Sequence, residues 1–174
     1  MQRGLLFALL IVVGGIYSTS AYSGKDSFTL YLIRHAEKDP LADDPSNPPL
    51  DECGKQRAQS LEQFFSDVEL KKLYSTDYIR TKNTVKPIAD AQQRAVVIYD
   101  PYKLDALSET LLTAKQNTLI VGHSNTTSVL AGLLLGQTLA PFNENIYDRI
   151  YQIVVSGSDL RISLLHQTFV CAVE

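Results

Sequence analysis

Basic residues are not in excess in this 174-residue chain, where 16 Lys and Arg stand against 19 Asp and Glu and the formal net charge is −3. The isoelectric point is about 5.6. Nucleic acids and anionic membranes attract proteins through clustered positive charge. The sequence therefore predicts neither partner for the molecule as a whole, and any basic site must be local.

Cysteine is scarce, since Cys53 and Cys171 are the only two in the sequence. No metal-ligand spacing surrounds them, so no metal site is predicted. A disulfide requires Cα atoms within about 7 Å, and the sequence does not give that distance. The sequence therefore leaves two alternatives: Cys53 and Cys171 form a disulfide, or both remain free thiols.

No apolar run is long enough for a comfortable membrane span, but a shorter run occupies the N-terminus. One basic residue, Arg3, precedes the uncharged stretch from Gly4 to Ile16, and small residues follow up to Ser23. This order is typical of a secretory signal peptide. We therefore predict a signal peptide over residues 1–23, cleaved after Ala21 or Ser23, and an exported domain over 24–174. An uncleaved N-terminal anchor is the alternative, and both readings predict a periplasmic or secreted location for that domain.

Strand-like and helix-like segments alternate through the rest of the chain, without internal repeats or low-complexity tracts. This alternation predicts one α/β domain, a three-layer sandwich with a mainly parallel sheet between helices and an antiparallel C-terminal edge. The predicted strands are 28–33, 72–75, 95–99, 118–121, 150–155 and 160–165, and the predicted helices are 51–65, 78–92, 104–114 and about 124–135.

Two of the three histidines directly follow predicted strands, and ligands bind beyond the carboxyl ends of such strands. His35 comes after Arg34, whose planar guanidinium matches two phosphate oxygens. His123 lies at a strand-to-helix junction, where free backbone N–H groups favour an anion. Arg80 falls in the first turns of the helix that follows another strand, from which it can reach the same edge. His166 lies inside the last strand pattern, and we interpret it as structural.

Four segments in order resemble the motifs of the histidine phosphatase superfamily, which has the phosphoglycerate-mutase-like fold. They span residues 28 to about 135 and comprise Leu32–Lys38 with its Arg-His pair, Pro49–Ala58, Tyr74–Thr84 with Arg80, and Val121–Asn125 with His123. The resemblance is to a compact branch 1 member with an export signal. It implies a phosphatase that acts on a small phosphorylated substrate without a metal or organic cofactor.

The resemblance also implies roles for the site residues. His35 would be the nucleophile and form a phosphohistidine that water hydrolyses, for which its ring must be neutral. Arg34, Arg80 and His123 would hold the phosphoryl oxygens, with His123 best suited as a cation, so the two histidine pKa values should separate. Asn125 is a further candidate for substrate binding.

The general acid that protonates the leaving group is not evident, because the segment that carries a recognisable glutamate in longer family members is missing. Candidates by position or proximity are Asp100, Asp105, Glu109 and Glu37. The lack of a strong acid favours substrates with good leaving groups, such as phosphohistidine or acyl phosphates, or else predicts a slow enzyme. The loop from Asp39 to Asp51 is acidic and is expected to overhang the pocket and disfavour highly anionic substrates.

Two enzyme classes are disfavoured and one alternative stays open. The long insertions of the mutases are missing, and Glu37-Lys38 and Ser124 replace the residues typical of the acid phosphatase and phytase branch. The alternative to an exported phosphatase is a catalytically weak phosphate-binding or regulatory module of the same fold.

The sequence does not give the oligomeric state.

Overall fold

Helices and strands alternate in the computed structural model as the hydrophobic pattern predicts, and the structure describes residues 27–171. The predicted signal segment 1–23 lies outside the described residues. Within them, no helix has both the length and the apolar character that crossing a membrane requires.

Residues 27–171 form six strands and four helices, and their bounds agree with the predicted ones to within one or two residues. The strands are β1 Ser27–Arg34, β2 Lys72–Ser75, β3 Val96–Ile98, β4 Thr118–Gly122, β5 Arg149–Ser156 and β6 Asp159–His166. The helices are α1 Glu52–Phe64, α2 Ile79–Gln92, α3 Leu104–Ala114 and α4 Ser124–Leu135.

The strands form one mixed sheet in the order β3-β2-β4-β1-β5-β6. β1 to β4 run parallel to one another, whereas β5 and β6 continue the sheet in antiparallel fashion. The predicted α/β sandwich with an antiparallel C-terminal edge is therefore confirmed. The hairpin at the edge turns at Gly157, whose φ of +62° suits a residue without a side chain.

The two faces of the sheet are buried under different helix pairs, because successive strand residues point to opposite sides. Leu32 of β1 belongs to the core cluster that includes residues of α3 and α4, such as Leu107 and Leu130. Its neighbour Ile33 belongs to the second cluster, which includes residues of α1 and α2, such as Leu61. Coverage of both faces explains the nearly continuous apolar sequence of β1 and β4.

The parallel register aligns the carboxyl ends of three adjacent strands. Arg34 at the end of β1 lies opposite Gly122 of β4, and Ser75 at the end of β2 lies opposite Val121. The backbone N–H of His35 continues the pairing and donates to the carbonyl of Gly122 at 2.9 Å. The residues after these strands consequently share one edge of the sheet.

The N-terminus of α1 packs directly against the segment that follows β1. A Cβ atom on Gly54 would lie 2.1 Å from the carbonyl oxygen of Glu37, so only glycine permits this approach. Arg57, one turn further on, binds both carboxylate oxygens of Glu37 and also donates to Gln167 in the C-terminal tail. The segment after β1 is thus braced by α1, which is itself held by the tail.

A disulfide joins Cys53 to Cys171, with Cα atoms 5.5 Å apart, and decides the pairing that the sequence left open. It attaches the C-terminal tail to the first turn of α1, across a sequence separation of 118 residues. Closing so long a loop removes much conformational freedom from the unfolded chain.

We predict that Cys53→Ser/Cys171→Ser lowers the free energy of unfolding by about 2–5 kcal/mol, since loss of a native disulfide from a small domain has that effect. Urea denaturation measures the change, and dithiothreitol should destabilise the wild type but not the double variant. Equal stability of the two oxidised proteins would contradict the prediction.

Candidate active site

A pocket of about 330 Å³ lies at the sheet edge where the ends of β1, β2 and β4 meet. It is lined by His35, Lys38, Tyr78, Arg80, Pro101, Tyr102, His123, Ser124, Asn125, Thr126 and Glu144. The structure therefore brings His35, Arg80, His123 and Asn125 together in one cavity. Arg34 lies immediately behind it, where its guanidinium contacts the pocket residue Glu144.

His35 is only 3 % exposed, and its ring has a defined hydrogen-bonding state. Nδ1 lies 2.7 Å from the carbonyl oxygen of Ala36, and since a carbonyl only accepts, Nδ1 carries the proton. Nε2 is then the unprotonated nitrogen with a free lone pair. Burial is the main cause that lowers the pKa of His35 to about 3, and the charges of Arg34, His123 and Arg80 lower it further. The ring is therefore neutral and nucleophilic at neutral pH.

The backbone around His35 is held by side chains from other elements. The N–H of Ala36 donates to Thr84 Oγ1 of α2 at 2.9 Å, and Asp51 donates its N–H to the carbonyl of Glu37. These bonds fix the carbonyl of Ala36 that in turn orients the imidazole.

His123 lies against His35, with ring centroids 5.4 Å apart and the planes tilted by 66°. It precedes α4, where its backbone N–H donates to Thr126 Oγ1, and its Nε2 lies 3.1 Å from Thr76 Oγ1. Burial first, and then the charges of Arg80 and Arg34, lower the pKa of His123 to about 4. The expected separation of the two pKa values, with His123 as a cation, is not found, because both rings are buried among the same guanidinium groups.

Arg34 is 3 % exposed and held by the loop between α4 and β5. Nη1 donates to the carbonyls of Glu144 and Ile146, and Nη2 donates to the Glu144 carboxylate at 2.8 Å. The ring of Tyr147 lies 4.1 Å from the guanidinium carbon. Nε has no hydrogen-bond partner in the described part of the chain, so one buried donor is left for a ligand.

Arg80 is the more open of the two guanidinium groups. It lies in the first turn of α2, over the ring of Tyr78 at 4.5 Å, and both Nε and Nη1 lack partners among residues 27–171. A buried N–H without an acceptor costs about 1–3 kcal/mol. Three unpartnered donors on two neighbouring cations favour a ligand with several negative oxygens.

None of the four candidate acids lines the pocket. Glu37 is turned away and paired with Arg57, and Asp100 accepts from the N–H of Tyr102. Asp105 and Glu109 are exposed on α3, because that helix points its leucines inward and its carboxylates to solvent. The carboxylate that does line the pocket is Glu144, which the sequence reasoning missed.

Sequence patterns gave no signal for several pocket residues. Glu144 and Tyr147 come from a loop without periodicity, and Tyr102 precedes α3 in a turn. The acidic loop from Asp39 to Asp51 supplies no residue to the lining described for the pocket, contrary to the expected overhang. Its Asn47 side chain instead accepts a hydrogen bond from the N–H of Ile79 and so packs beside α2.

Comparison with known proteins tests the family resemblance. The family model described as histidine phosphatase superfamily (branch 1) matches residues 30–110, which include most of β1 and all of α1, β2, α2 and β3, with Arg34, His35 and Arg80. The resemblance to the histidine phosphatase superfamily that the motifs predict is confirmed. The predicted class, a hydrolase of the histidine phosphatase type, is confirmed with it. No curated protein matches the chain in sequence.

Solved structures of histidine phosphatases share the fold at low sequence identity. The protein histidine phosphatase SixA complexed with tungstate is 15% identical, with a TM-score of 0.65 and coverage of 80% of this chain and 97% of SixA. The alpha-ribazole phosphatase from Shigella flexneri is 18% identical, with a TM-score of 0.63 and coverage of 84% and 100%. Mycobacterial glucosyl-3-phosphoglycerate phosphatase is 13% identical, with a TM-score of 0.65 and coverage of 82% and 100%.

We predict that acid destabilises the fold through the two pocket histidines. Between pH 6.5 and about 4, the unfolded rings take up protons that folded His35 and His123 do not bind, so the free energy of unfolding falls as the pH is lowered. His35→Asn removes one of the two groups and should make this decline shallower. Urea denaturation at pH 7, 6, 5 and 4 measures the slope, and identical slopes for wild type and variant would contradict the prediction.

Proposed function

We propose that this protein hydrolyses small phosphomonoesters or phosphoramidates through a phosphohistidine formed on Nε2 of His35. The observation that carries the proposal is the neutral ring with its free Nε2, set beside three unpartnered guanidinium N–H groups. These are the two things that phosphoryl transfer needs, a nucleophile in line and fixed positive charge on the equatorial oxygens.

In the first step, the Nε2 lone pair attacks phosphorus while the bond from phosphorus to the leaving atom breaks. Arg80 and the Nε of Arg34 donate to the phosphoryl oxygens, and the first turn of α4 directs its N–H groups at the same charge. His123 and Asn125, which line the pocket at that helix end, complete the contacts. In the second step, water attacks the phosphorus, inorganic phosphate leaves, and the electron pair of the P–N bond returns to Nε2.

The supply of a proton to the leaving group limits the substrate class. The pocket carboxylate Glu144 is held ionised, since hydrogen bonding from Ser124 and the charge of Arg34 lower its pKa. It therefore holds no proton to donate at neutral pH. Leaving groups that need little protonation are favoured, as in phosphoramidates and aryl or acyl phosphates. SixA, whose name describes a protein histidine phosphatase, agrees with a substrate of the phosphoramidate kind.

We predict that His35→Ala lowers the kcat for p-nitrophenyl phosphate roughly 1,000-fold or more, because the nucleophile is removed. Arg80→Ala should lower it about 100-fold through loss of charge stabilisation. The wild type, denatured in alkali during turnover, should carry one phosphoryl group by intact mass, whereas His35→Ala should carry none. Asp105→Asn and Glu109→Gln are matched controls that should retain full activity, since both carboxylates lie outside the pocket.

Unchanged rates in His35→Ala would refute the proposal. Tight binding of inorganic phosphate without turnover of any substrate would instead assign the chain to the alternative, a phosphate-binding module.

We further propose that the domain is exported, either by cleavage of residues 1–23 or by anchoring through them. The disulfide between Cys53 and Cys171 supports this, since such bonds persist in oxidising compartments.

We predict that the protein appears outside the cytoplasm with an N-terminus at Tyr22 or Gly24, the positions after the two expected cleavage sites. Cell fractionation with N-terminal sequencing measures both, and replacing Leu9 and Leu10 with Arg should retain the chain inside, because charges disrupt the apolar segment. An intact Met1 in the membrane fraction would show the anchor, and an intact Met1 in the cytoplasm would refute export.

A further inference from the structure

Glu144 is the carboxylate of the pocket, and its two known contacts leave part of it open. Oε2 accepts from Nη2 of Arg34 at 2.8 Å, and Oε1 accepts from the hydroxyl of Ser124. A carboxylate offers about four lone-pair sites, and the Glu144 side chain is 71 % exposed. The remaining acceptor sites therefore face solvent at the mouth of the pocket.

The mouth is where the leaving group must lie. In an in-line transfer, the leaving atom points away from His35, which is buried at the base of the cavity. We assign the exposed pocket residues to the opposite end, and they are Lys38, Tyr102, Asn125 and Glu144. Tyr102 is 89 % exposed, so the face of its ring is available to a bound molecule.

The mouth of the pocket therefore differs in charge from its bottom, where the arginines make the potential positive. Glu144 places a fixed negative charge there, and an exposed tyrosine face attracts cations through its ring quadrupole. Lys38 also lines the pocket and offsets part of the negative charge of Glu144, so replacing Glu144 alone is what isolates its effect on the leaving group. A leaving group with its own positive charge can pair with Glu144, whereas a carboxylate in the same place would be repelled.

We propose that Glu144 determines which leaving groups the pocket accepts, and that it favours leaving groups that carry an ammonium group over those that carry a carboxylate. This inference rests on the proposed function, because it assigns the mouth of the same pocket to the leaving group. Glu144 acts on the substrate by charge, and it neither attacks phosphorus nor donates a proton.

Phosphoethanolamine and phosphoglycolate test the proposal, since they are similar in length and share the phosphoryl group but end in an ammonium and a carboxylate. Both leaving groups are alkoxides that need a proton, so turnover of both is expected to be slow, and we expect the wild type to favour phosphoethanolamine in kcat/KM at least tenfold. Glu144→Gln should lower this preference about tenfold, mainly through KM, and the intrinsic difference between the two alcohols as leaving groups cancels when variant and wild type are compared. p-Nitrophenyl phosphate, whose leaving group has no ammonium or carboxylate, serves as the reference. Any effect of the variant on the position of Arg34 cancels in the ratio, because both substrates use that residue alike.

Asp67→Asn is the matched control, because it removes an exposed carboxylate from the loop before β2, at the opposite edge of the sheet from the pocket. It should leave the ratio unchanged. If neither compound is turned over, their inhibition constants against p-nitrophenyl phosphate or their calorimetric dissociation constants give the same ratio.

A ratio that is equal in wild type and Glu144→Gln overturns the inference. An equal rise for all three substrates also overturns it, since Glu144 would then act only as an anion that competes for Arg34. Loss of all turnover in the wild type would refute the proposed function instead, and the binding ratio would still decide the role of Glu144.

Discussion

Buried hydrogen-bond donors without partners, on the guanidinium groups of Arg34 and Arg80, are the constraint from which the rest of the site follows. β1 carries Arg34 into the interior, and the first turn of α2 brings Arg80 to the same edge, where together they leave three N–H groups without acceptors among residues 27–171. Arg34 is among the charges that lower the pKa of Arg80, so the two cations repel each other, and their unpartnered donors have lost water without replacement. The phosphoryl group of the substrate that we propose would relieve both costs. Burial is the main cause that lowers the pKa values of His35 and His123, and the positive field of the two arginines lowers them further, so the cations that we propose bind the substrate also help to keep the proposed nucleophile neutral.

The geometry of the nucleophile depends on contacts well outside the pocket. The imidazole is oriented by the carbonyl of Ala36, and the next residue, Glu37, is in contact with α1 through Gly54 and Arg57. The disulfide fastens α1 to the C-terminal tail, so the last described residues of the chain stabilise the segment that follows the first strand. Glu37 is therefore a structural partner of Arg57 despite its proximity to the nucleophile.

Periodicity and strand ends were sufficient to predict the fold and the residues at the pocket base. Helices and strands with continuous apolar patterns were bounded to within one or two residues, and the parallel order then placed His35 and His123 at one edge. Asp105 and Glu109 lie outside the pocket because sequence position says nothing about which side of α3 faces it, and Glu37 and Asp100 lie outside it because they bind Arg57 and the N–H of Tyr102 instead. Glu144 and Tyr147 could not be predicted from the sequence. Their loop binds Arg34 through backbone carbonyls, and such contacts leave no pattern of residue types. Whether Cys53 and Cys171 form a disulfide likewise depends on the distance between their Cα atoms, which only the folded chain provides.

The base of the pocket and its mouth set different chemical demands. At the base, positive charge and a neutral ring suit any phosphoryl group, which explains why one fold serves relatives named for different substrates. At the mouth, the carboxylate of Glu144 pairs with Arg34, the guanidinium whose unpartnered Nε we assign to the phosphoryl group. A carboxylate in that position weakens the positive field on the phosphoryl group by the same amount for every substrate. It changes the relative affinity of two substrates only through the charge of their leaving groups. Discrimination between substrates must therefore arise from the leaving group, because the phosphoryl group is common to all of them.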